Sequence, residues 1–213
     1  MILALDTTAE YGSIAFVDNQ QTVEEELIHS PDGFGHVLFA YIGGLLDRHR
    51  LRIQDIDCFA AASGPGSFTG VRIGLAAVQG LAEANGKRVV PVSNLQALAS
   101  FGSADLRATL IDARREEIYG AVYDRNLRLC SPEVVMKFED WIRVLPGDNI
   151  ELILTNPEHF PCGLRSVAAP QALAAAIGRI AERRFGAGET LDPSQVDANY
   201  VRRSDAELLW RGI

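Results

Sequence analysis

The alternation of apolar and polar positions predicts a regular succession of strands and helices in the first half of the chain. Short apolar or alternating runs predict buried strands, and apolar residues repeating every three or four positions predict helices. The predicted strands are residues 2–5, 11–17, 22–28, 56–62 and 88–92. The predicted helices are residues 35–49, 71–84 and 94–101. The order is therefore β-β-β-α-β-α-β-α, which is typical of an α/β fold.

The second half repeats this order of elements. The strands predicted there are residues 108–112, 118–123, 134–137 and 151–154. The helices predicted there are residues 138–144 and 171–184. Such a repeat indicates an internal duplication. The stretch Phe-Gly-Ser-Ala-Asp at residues 101–105 then marks the boundary between an N-terminal lobe, 1–102, and a C-terminal lobe, 103–213, whose tail can pack back on the first lobe.

A glycine-rich turn, GPGSFTGVRIG at residues 64–74, separates a predicted strand from the helix 71–84. Gly64-Pro65-Gly66 cannot continue a strand, and Ser67 or Thr69 can cap the helix. A helix N-terminus after such a turn often binds anions, but the same sequence also fits a simple tight turn. The stretch lacks the Lys-Ser/Thr of a Walker loop and the order of a nucleophile elbow.

The helix after this turn is apolar on nearly all sides, which indicates that more than one surface covers it. Gly70, Gly74 and Ala77 share one side, and each glycine inside a helix costs about 1 kcal/mol relative to alanine. Close approach of another backbone would explain those glycines. We predict that this side faces a partner subunit, so that a bulky residue at position 74 or 77 weakens assembly without unfolding the chain. Burial in the chain's own core is the alternative.

Composition argues against several classes of protein, namely nucleic-acid-binding, disulfide-rich, zinc-binding, membrane-spanning and secreted proteins. The chain has 213 residues, 47% of them hydrophobic, and a formal net charge of −8, which argues against binding a nucleic-acid backbone alone. Cys58, Cys130 and Cys162 are widely spaced and suggest neither a disulfide framework nor a zinc site. No segment approaches the roughly 20 apolar residues that cross a bilayer. Asp6 interrupts the N-terminal apolar run, so we expect no signal peptide and a cytoplasmic protein.

Five segments together resemble the TsaB (YeaZ) family of bacterial tRNA threonylcarbamoyladenosine biosynthesis proteins. The most specific is the GPGSFTGxRIG run. The segments are residues 3–8, 64–74, 92–99, 112–119 and 200–207, in the order that the family has. The resemblance implies two related α/β lobes of the actin, sugar-kinase and heat-shock-ATPase type, which is a ribonuclease H-like fold.

The resemblance also implies a function and partners. It implies a non-catalytic subunit that activates TsaD, the transferase that makes t6A at tRNA position 37. TsaE joins the same assembly, tRNA is reached only through the complex, and the family forms homodimers when alone. First-lobe helices carry these contacts. The residues expected in the partner interface are His36, Val37, Phe39, Ala40, Gly43, Gly70, Val71, Gly74, Ala77, Val78 and Leu81.

The chemistry of the catalytic relative is not expected here. That relative binds a metal through two histidines, and the corresponding positions here are Asn94 and Leu98, which cannot replace two imidazoles. The second phosphate turn, 112–117, contains no glycine. We therefore expect no cofactor and no metal, and at most weak ATP or ADP binding at the lobe junction or the complex interface. The residues of a vestigial nucleotide site would be Asp6, Thr7, Thr8 and Asp112.

Two further functions stay open from the sequence. One is an enzyme of the same fold with its own active site, either a small-molecule kinase or a peptidase. The kinase would use Asp112, and a serine peptidase would use Ser67 with a histidine base. The other is a module that binds tRNA directly, to which the pairs Arg183-Arg184 and Arg202-Arg203 would contribute.

Overall fold

The computed structural model describes residues 1–147 and 149–202. Its strands are β1 Ile2–Asp6, β2 Tyr11–Asp18, β3 Gln21–His29, β4 Cys58–Gly64, β5 Arg88–Ser93, β6 Leu106–Arg114, β7 Glu117–Asp124, β8 Leu129–Lys137, β9 Ile150–Leu154 and β10 Ser166–Ala168. Its α-helices are α1 Leu38–His49, α2 Phe68–Asn85, α3 Asn94–Ala99, α4 Phe138–Val144 and α5 Ala174–Gly186. Short 3-10 helices lie at Ile53–Asp55, Pro157–His159 and Pro193–Gln195.

The strands form two sheets with the same topology. The first has the order β3-β2-β1-β4-β5, and the second has the equivalent order β8-β7-β6-β9-β10. In each sheet the central strand, β1 or β6, is antiparallel to the next strand in sequence and parallel to a later one. This repeat confirms the predicted α/β class with two related lobes.

Helices α1 and α2 cover one side of the first sheet. Buried residues of both helices, including Leu38, Leu45 and Val78, belong to one apolar cluster with residues of β1 and β4. Helix α2 begins at Phe68, earlier than predicted, because Ser67 Oγ caps it by accepting a bond of 3.2 Å from the Gly70 amide. Helix α1 begins later than predicted, at Leu38, since a tight turn occupies residues 35–37.

Helix α5 belongs to the second half of the sequence but covers the opposite side of the first sheet. Its alanine-rich face joins the apolar cluster that contains Ile2, Ala4 and Val17. Its first amides are capped from that sheet: Ser13 Oγ accepts from Leu173 and Ala174 at 3.1 and 3.0 Å, and Glu25 Oε1 accepts from Ala175 at 2.7 Å. The sequence boundary at residue 102 therefore does not separate the packing of the two lobes, because a helix from the second half covers the sheet of the first.

The C-terminal segment contacts both lobes. Leu191 pairs with Val89 of β5, and the Asn199 amide donates to the Ser63 carbonyl at 2.8 Å. Arg202 then donates to the Ala113 carbonyl in the second lobe at 2.9 Å. Residues 203–207 of the family-like segment, Arg203 among them, lie outside the described residues. Within the described parts of the chain, no helix is long and apolar enough to cross a bilayer.

Candidate functional site

A buried polar cluster lies where strand β1 ends. The Thr8 amide and hydroxyl both donate to Asp6 Oδ1, at 2.9 and 2.7 Å. Asn94, at the start of α3, donates to Thr8 Oγ1 at 2.7 Å, and its own Oδ1 accepts from the Gly64 amide at 3.1 Å. Asp6, Thr7, Thr8 and Asn94 are all buried. The cluster thus ties β1, β4 and α3 together inside the first lobe.

Glycines of the GPGSFTGVRIG turn close over this cluster. A Cβ on Gly66 would lie 2.7 Å from Thr8 Cβ, and a Cβ on Gly74 would lie 2.6 Å from Thr7 Oγ1. A Cβ on Gly70 would overlap the Thr7 carbonyl oxygen, while Thr7 Oγ1 donates to the Gly70 carbonyl at 2.7 Å. The backbone that approaches these glycines is therefore the chain's own Thr7–Thr8 segment.

This packing corrects part of the predicted partner interface. Five of its residues lie inside the chain and are covered by the first lobe itself: Gly70, Val71, Gly74, Ala77 and Val78. A bulky residue at position 74 or 77 is now expected to destabilise the chain itself, because Gly74 contacts Thr7 and Ala77 is buried. The alternative, burial in the chain's own core, holds for this side of α2.

Burial of Asp6 has a consequence for stability. Burial raises the pKa of Asp6 above its ordinary value of 3.8, although hydrogen bonds from Thr8 and Asn94 oppose the shift. Between the ordinary and the raised pKa, the folded chain keeps a proton that the unfolded chain has released. The contribution of Asp6 to the free energy of unfolding therefore falls as pH rises through this window.

An Asp6→Asn variant tests this sign. The amide oxygen that replaces the carboxylate can still accept from Thr8, but it does not ionise. We subtract the free energy of unfolding of the variant from that of the wild type. This difference should fall as pH rises from the ordinary pKa of 3.8 through the raised pKa of Asp6. Urea unfolding at several pH values measures it. A difference that stays constant or rises with pH would contradict the assignment.

The structure brings together three of the four residues of the predicted vestigial nucleotide site. Asp6, Thr7 and Thr8 are adjacent and buried, whereas Asp112 is exposed near the tip of the β6–β7 hairpin. Asp112 accepts a bond from the Arg114 amide at 2.7 Å and lines an open cavity of about 650 Å³ with Lys137 and His159. The hairpin tip has positive φ at Arg114, Arg115 and Glu116 without a glycine.

The other candidate residues lie as follows. Asn94 belongs to the buried cluster, and Leu98 is buried in the core beside α5. Among the described residues, no group of three or more His, Cys, Asp or Glu side chains could hold a metal ion. Arg184 donates to the Pro91 carbonyl at 2.9 Å, and Arg202 pairs with Glu117, so two of the arginines proposed for tRNA contact have partners within the chain.

The outward side of α1 and α2 presents an apolar surface. The side chain of Phe39 is 58% exposed, and Ala40 and His36 beside it are also exposed. The remaining predicted interface residues Val37, Gly43 and Leu81 are partly exposed. We call the surface formed by His36, Phe39, Ala40, Gly43, Arg72, Ala76 and Gly80 the α1/α2 face.

Three members of this face, Arg72, Ala76 and Gly80, were missed by the sequence-based prediction. They form the exposed stripe of α2, on the side opposite Gly70 and Gly74. A Cβ on Gly80 would meet no atom within 4 Å, and the same is true of Gly43 on α1. The spacing of 72, 76 and 80 at one helical turn was the available signal.

Known proteins resemble the chain over most of its length. A family model described as TsaD, tRNA N6-adenosine threonylcarbamoyltransferase, matches residues 36–180. The tRNA threonylcarbamoyladenosine biosynthesis protein TsaB of Escherichia coli is 36% identical over 129 residues, and that of Bacillus subtilis is 29% identical over 149 residues. These matches cover 59% and 68% of this chain, but only 55% and 65% of the length of the relatives.

Two solved structures extend the similarity to nearly the whole fold. YeaZ from Pseudomonas aeruginosa has a TM-score of 0.81 and 30% identity, covering 93% of this chain and 98% of that one. Another structure from that organism, described as an uncharacterized protein with similarity to peptidase YEAZ, also has a TM-score of 0.81, with 28% identity and coverage of 94% and 99%. The 30% identity to YeaZ over 98% of that chain, together with the curated relatives named TsaB, shows that this chain belongs to the TsaB (YeaZ) family.

Proposed function

We propose that this chain is the non-catalytic, activating subunit of a complex that makes threonylcarbamoyladenosine at tRNA position 37. In this proposal it binds a TsaD-type transferase through the α1/α2 face. TsaE joins the assembly, and the chain forms a homodimer through the same face when it is alone. The complex works in the cytoplasm, and tRNA reaches the chain only through its partner.

One contrast within the first lobe carries the proposal. The polar cluster at Asp6, Thr7 and Thr8 is buried, and the chain's own glycines pack against Thr7 and Thr8. The outer side of α2 is exposed at Arg72, Ala76 and Gly80, and α1 exposes Phe39. A surface of this kind marks an interaction site more often than a catalytic one.

The identity of the partner rests on similarity between subunits. The TsaD family model matches residues 36–180, which include α1 and α2, so this chain and a TsaD-type protein share the elements that form the face. Two chains with related helices can pair in a pseudo-symmetric way, as identical chains do in a homodimer. Small residues at 43, 76 and 80 allow helices of a second chain to approach closely.

An enzyme of the same fold with its own active site is the alternative, and a solved relative is described by similarity to a peptidase. Ser67 would be the nucleophile of a serine peptidase. In this structure its hydroxyl oxygen caps α2 by accepting from Gly70. His29, His49 and His159 each lie beside a glutamate, namely Glu10, Glu24 and Glu158. The capping bond of Ser67 favours the subunit proposal over a Ser67 peptidase.

Reconstitution separates the two functions. Purified TsaD-type protein, TsaE and threonylcarbamoyl-adenylate are incubated with tRNA, with and without this chain, and t6A is measured by mass spectrometry of nucleosides. We expect t6A only when the chain is present with its partners, and none from the chain alone.

The alternative is tested on the same preparation. The chain is incubated alone with casein and, separately, with ATP. Peptide release or ATP turnover that a Ser67→Ala or an Asp112→Asn variant removes would overturn the proposal. Full t6A synthesis without the chain would overturn it as well.

A further inference from the structure

The guanidinium of Arg72 is held in a fixed position at one edge of the α1/α2 face. Phe68 precedes Arg72 by one helical turn, and the guanidinium carbon lies 3.7 Å from the centre of the Phe68 ring. Its Nε donates to the hydroxyl of Tyr200 at 3.0 Å, and the rings of Phe68 and Tyr200 are themselves 5.7 Å apart. Both rings are about half exposed, at 48% and 46%. A side chain that is usually mobile is thus ordered before any partner binds.

The outer nitrogens of this guanidinium are available. Within residues 1–147 and 149–202, the interactions of Arg72 are those with Phe68 and Tyr200, and neither Nη atom has a hydrogen-bond partner. Arg48, the other arginine on these helices, is paired with Glu24 and Glu26. Arg72 is therefore the arginine of α1 and α2 that has no carboxylate partner among the described residues.

A partner that covers the α1/α2 face also covers the positive charge of Arg72. The neighbours of Arg72 along the exposed stripe are Phe68 and Ala76, which offer no negative charge. A cation that is covered without an anion opposite it destabilises the complex strongly, whereas a planar guanidinium paired with a carboxylate gains two parallel hydrogen bonds. An acidic group on the covering surface opposite Arg72 would meet this requirement for an anion.

We infer that Arg72 binds an aspartate or glutamate carboxylate of the protein subunit that covers the α1/α2 face. The inference rests on the proposed function and adds the chemistry that the partner must present. A protein carboxylate fits better than an RNA phosphate backbone. Binding a phosphate backbone requires several cations, whereas the chain has a net charge of −8 and this face offers one free guanidinium.

The experiment measures the Kd for the purified TsaD-type protein by calorimetry. Arg72→Met keeps the stem of the side chain and removes the charge, and we expect the complex to weaken about 30-fold. Arg72→Lys keeps the charge and loses the planar fork, and it should weaken binding about fivefold. Tyr200→Phe keeps the ring and removes the hydroxyl that fixes Nε, with an expected loss of about threefold. Arg143→Met, on α4 in the second lobe, is the matched control and should leave the Kd unchanged.

The outcomes distinguish this inference from the proposed function. If Arg72→Met keeps the wild-type Kd while Phe39→Asp abolishes binding, the carboxylate contact is refuted and the proposed face stands. If neither variant changes the Kd, both ideas fail. If Arg72→Met keeps the Kd for the TsaD-type protein but weakens tRNA binding by the complex, Arg72 contacts an RNA phosphate, which contradicts the inference. A lower Tm of the isolated chain at unchanged Kd would give Arg72 a role within its own chain, again against it.

Discussion

Replacing Gly70 with alanine should destabilise the isolated chain by about 3 kcal/mol or more. The added Cβ would overlap the Thr7 carbonyl oxygen and lie 3.0 Å from Thr7 C and 3.2 Å from Thr8 Cα. These are backbone atoms of a segment that Asp6 and Asn94 hold from the other side, so they cannot rotate away as the end of a side chain can. Urea unfolding followed by circular dichroism measures the change.

Gly80→Ala is the matched control on the same helix. A Cβ at Gly80 would meet no atom within 4 Å, and the residue is exposed. The same substitution should therefore stabilise the chain by up to about 1 kcal/mol, because alanine has the higher helix propensity. A Gly70→Ala variant as stable as the wild type would show that the Thr7–Thr8 segment is not packed against α2 as described.

The glycine stripe shows why sequence assigned a side of α2 that is buried in its own chain to a partner. Periodicity identified Gly70, Gly74 and Ala77 as one side of the helix, and helix propensity required a close neighbour there. Neither argument shows whether the backbone that packs against these glycines belongs to the same chain or to a partner. The Thr7–Thr8 backbone supplies that contact from a position 63 residues away in sequence, as the hydrogen bond from Thr7 to Gly70 shows.

Local sequence patterns predicted where strands and helices occur better than they predicted which elements pack against each other. Strand β1, the β2–β3 hairpin and the helix after the glycine turn all follow from runs of a few residues. Helix α5 was also predicted as a helix. Its packing on the first sheet depends on Ser13 and Glu25, which cap it across 150 residues or more of sequence, and no local pattern contains that information.

The α1/α2 face follows the same division between local and distant signals. Phe39 and Ala40 were expected at an interface because the family resemblance implies contacts through the helices of the first lobe. The arrangement of Phe68, Arg72 and Tyr200 could not be predicted, since Tyr200 is 128 residues away from Arg72 in sequence. Sequence thus identified the helices that form the α1/α2 face. The contact at its edge depends on the C-terminal segment, which brings Tyr200 next to Arg72.

Phe39→Asp should abolish assembly, and it is the largest effect expected on the proposed function. Phe39 is the most exposed aromatic residue of α1, with 58% of its surface accessible. Loss of an aromatic anchor at the centre of an interface costs about 2–4 kcal/mol, and an unpaired carboxylate buried in its place adds to that loss. We expect the Kd for a TsaD-type subunit to rise at least about 100-fold, and the homodimer to become a monomer in light scattering.

The fold should tolerate this change, because Phe39 is not part of the apolar clusters that contain Leu38 and Ile42 on either side of it. Val144→Asp is the matched control: Val144 is 66% exposed on α4 in the second lobe, so the variant adds the same charge to an apolar site outside the α1/α2 face. It should keep both assemblies and support t6A synthesis. If both variants assembled as the wild type does, the α1/α2 face would not be where the partner binds. If only Phe39→Asp failed, with an unchanged Tm, loss of the contact and not of the fold would be the cause.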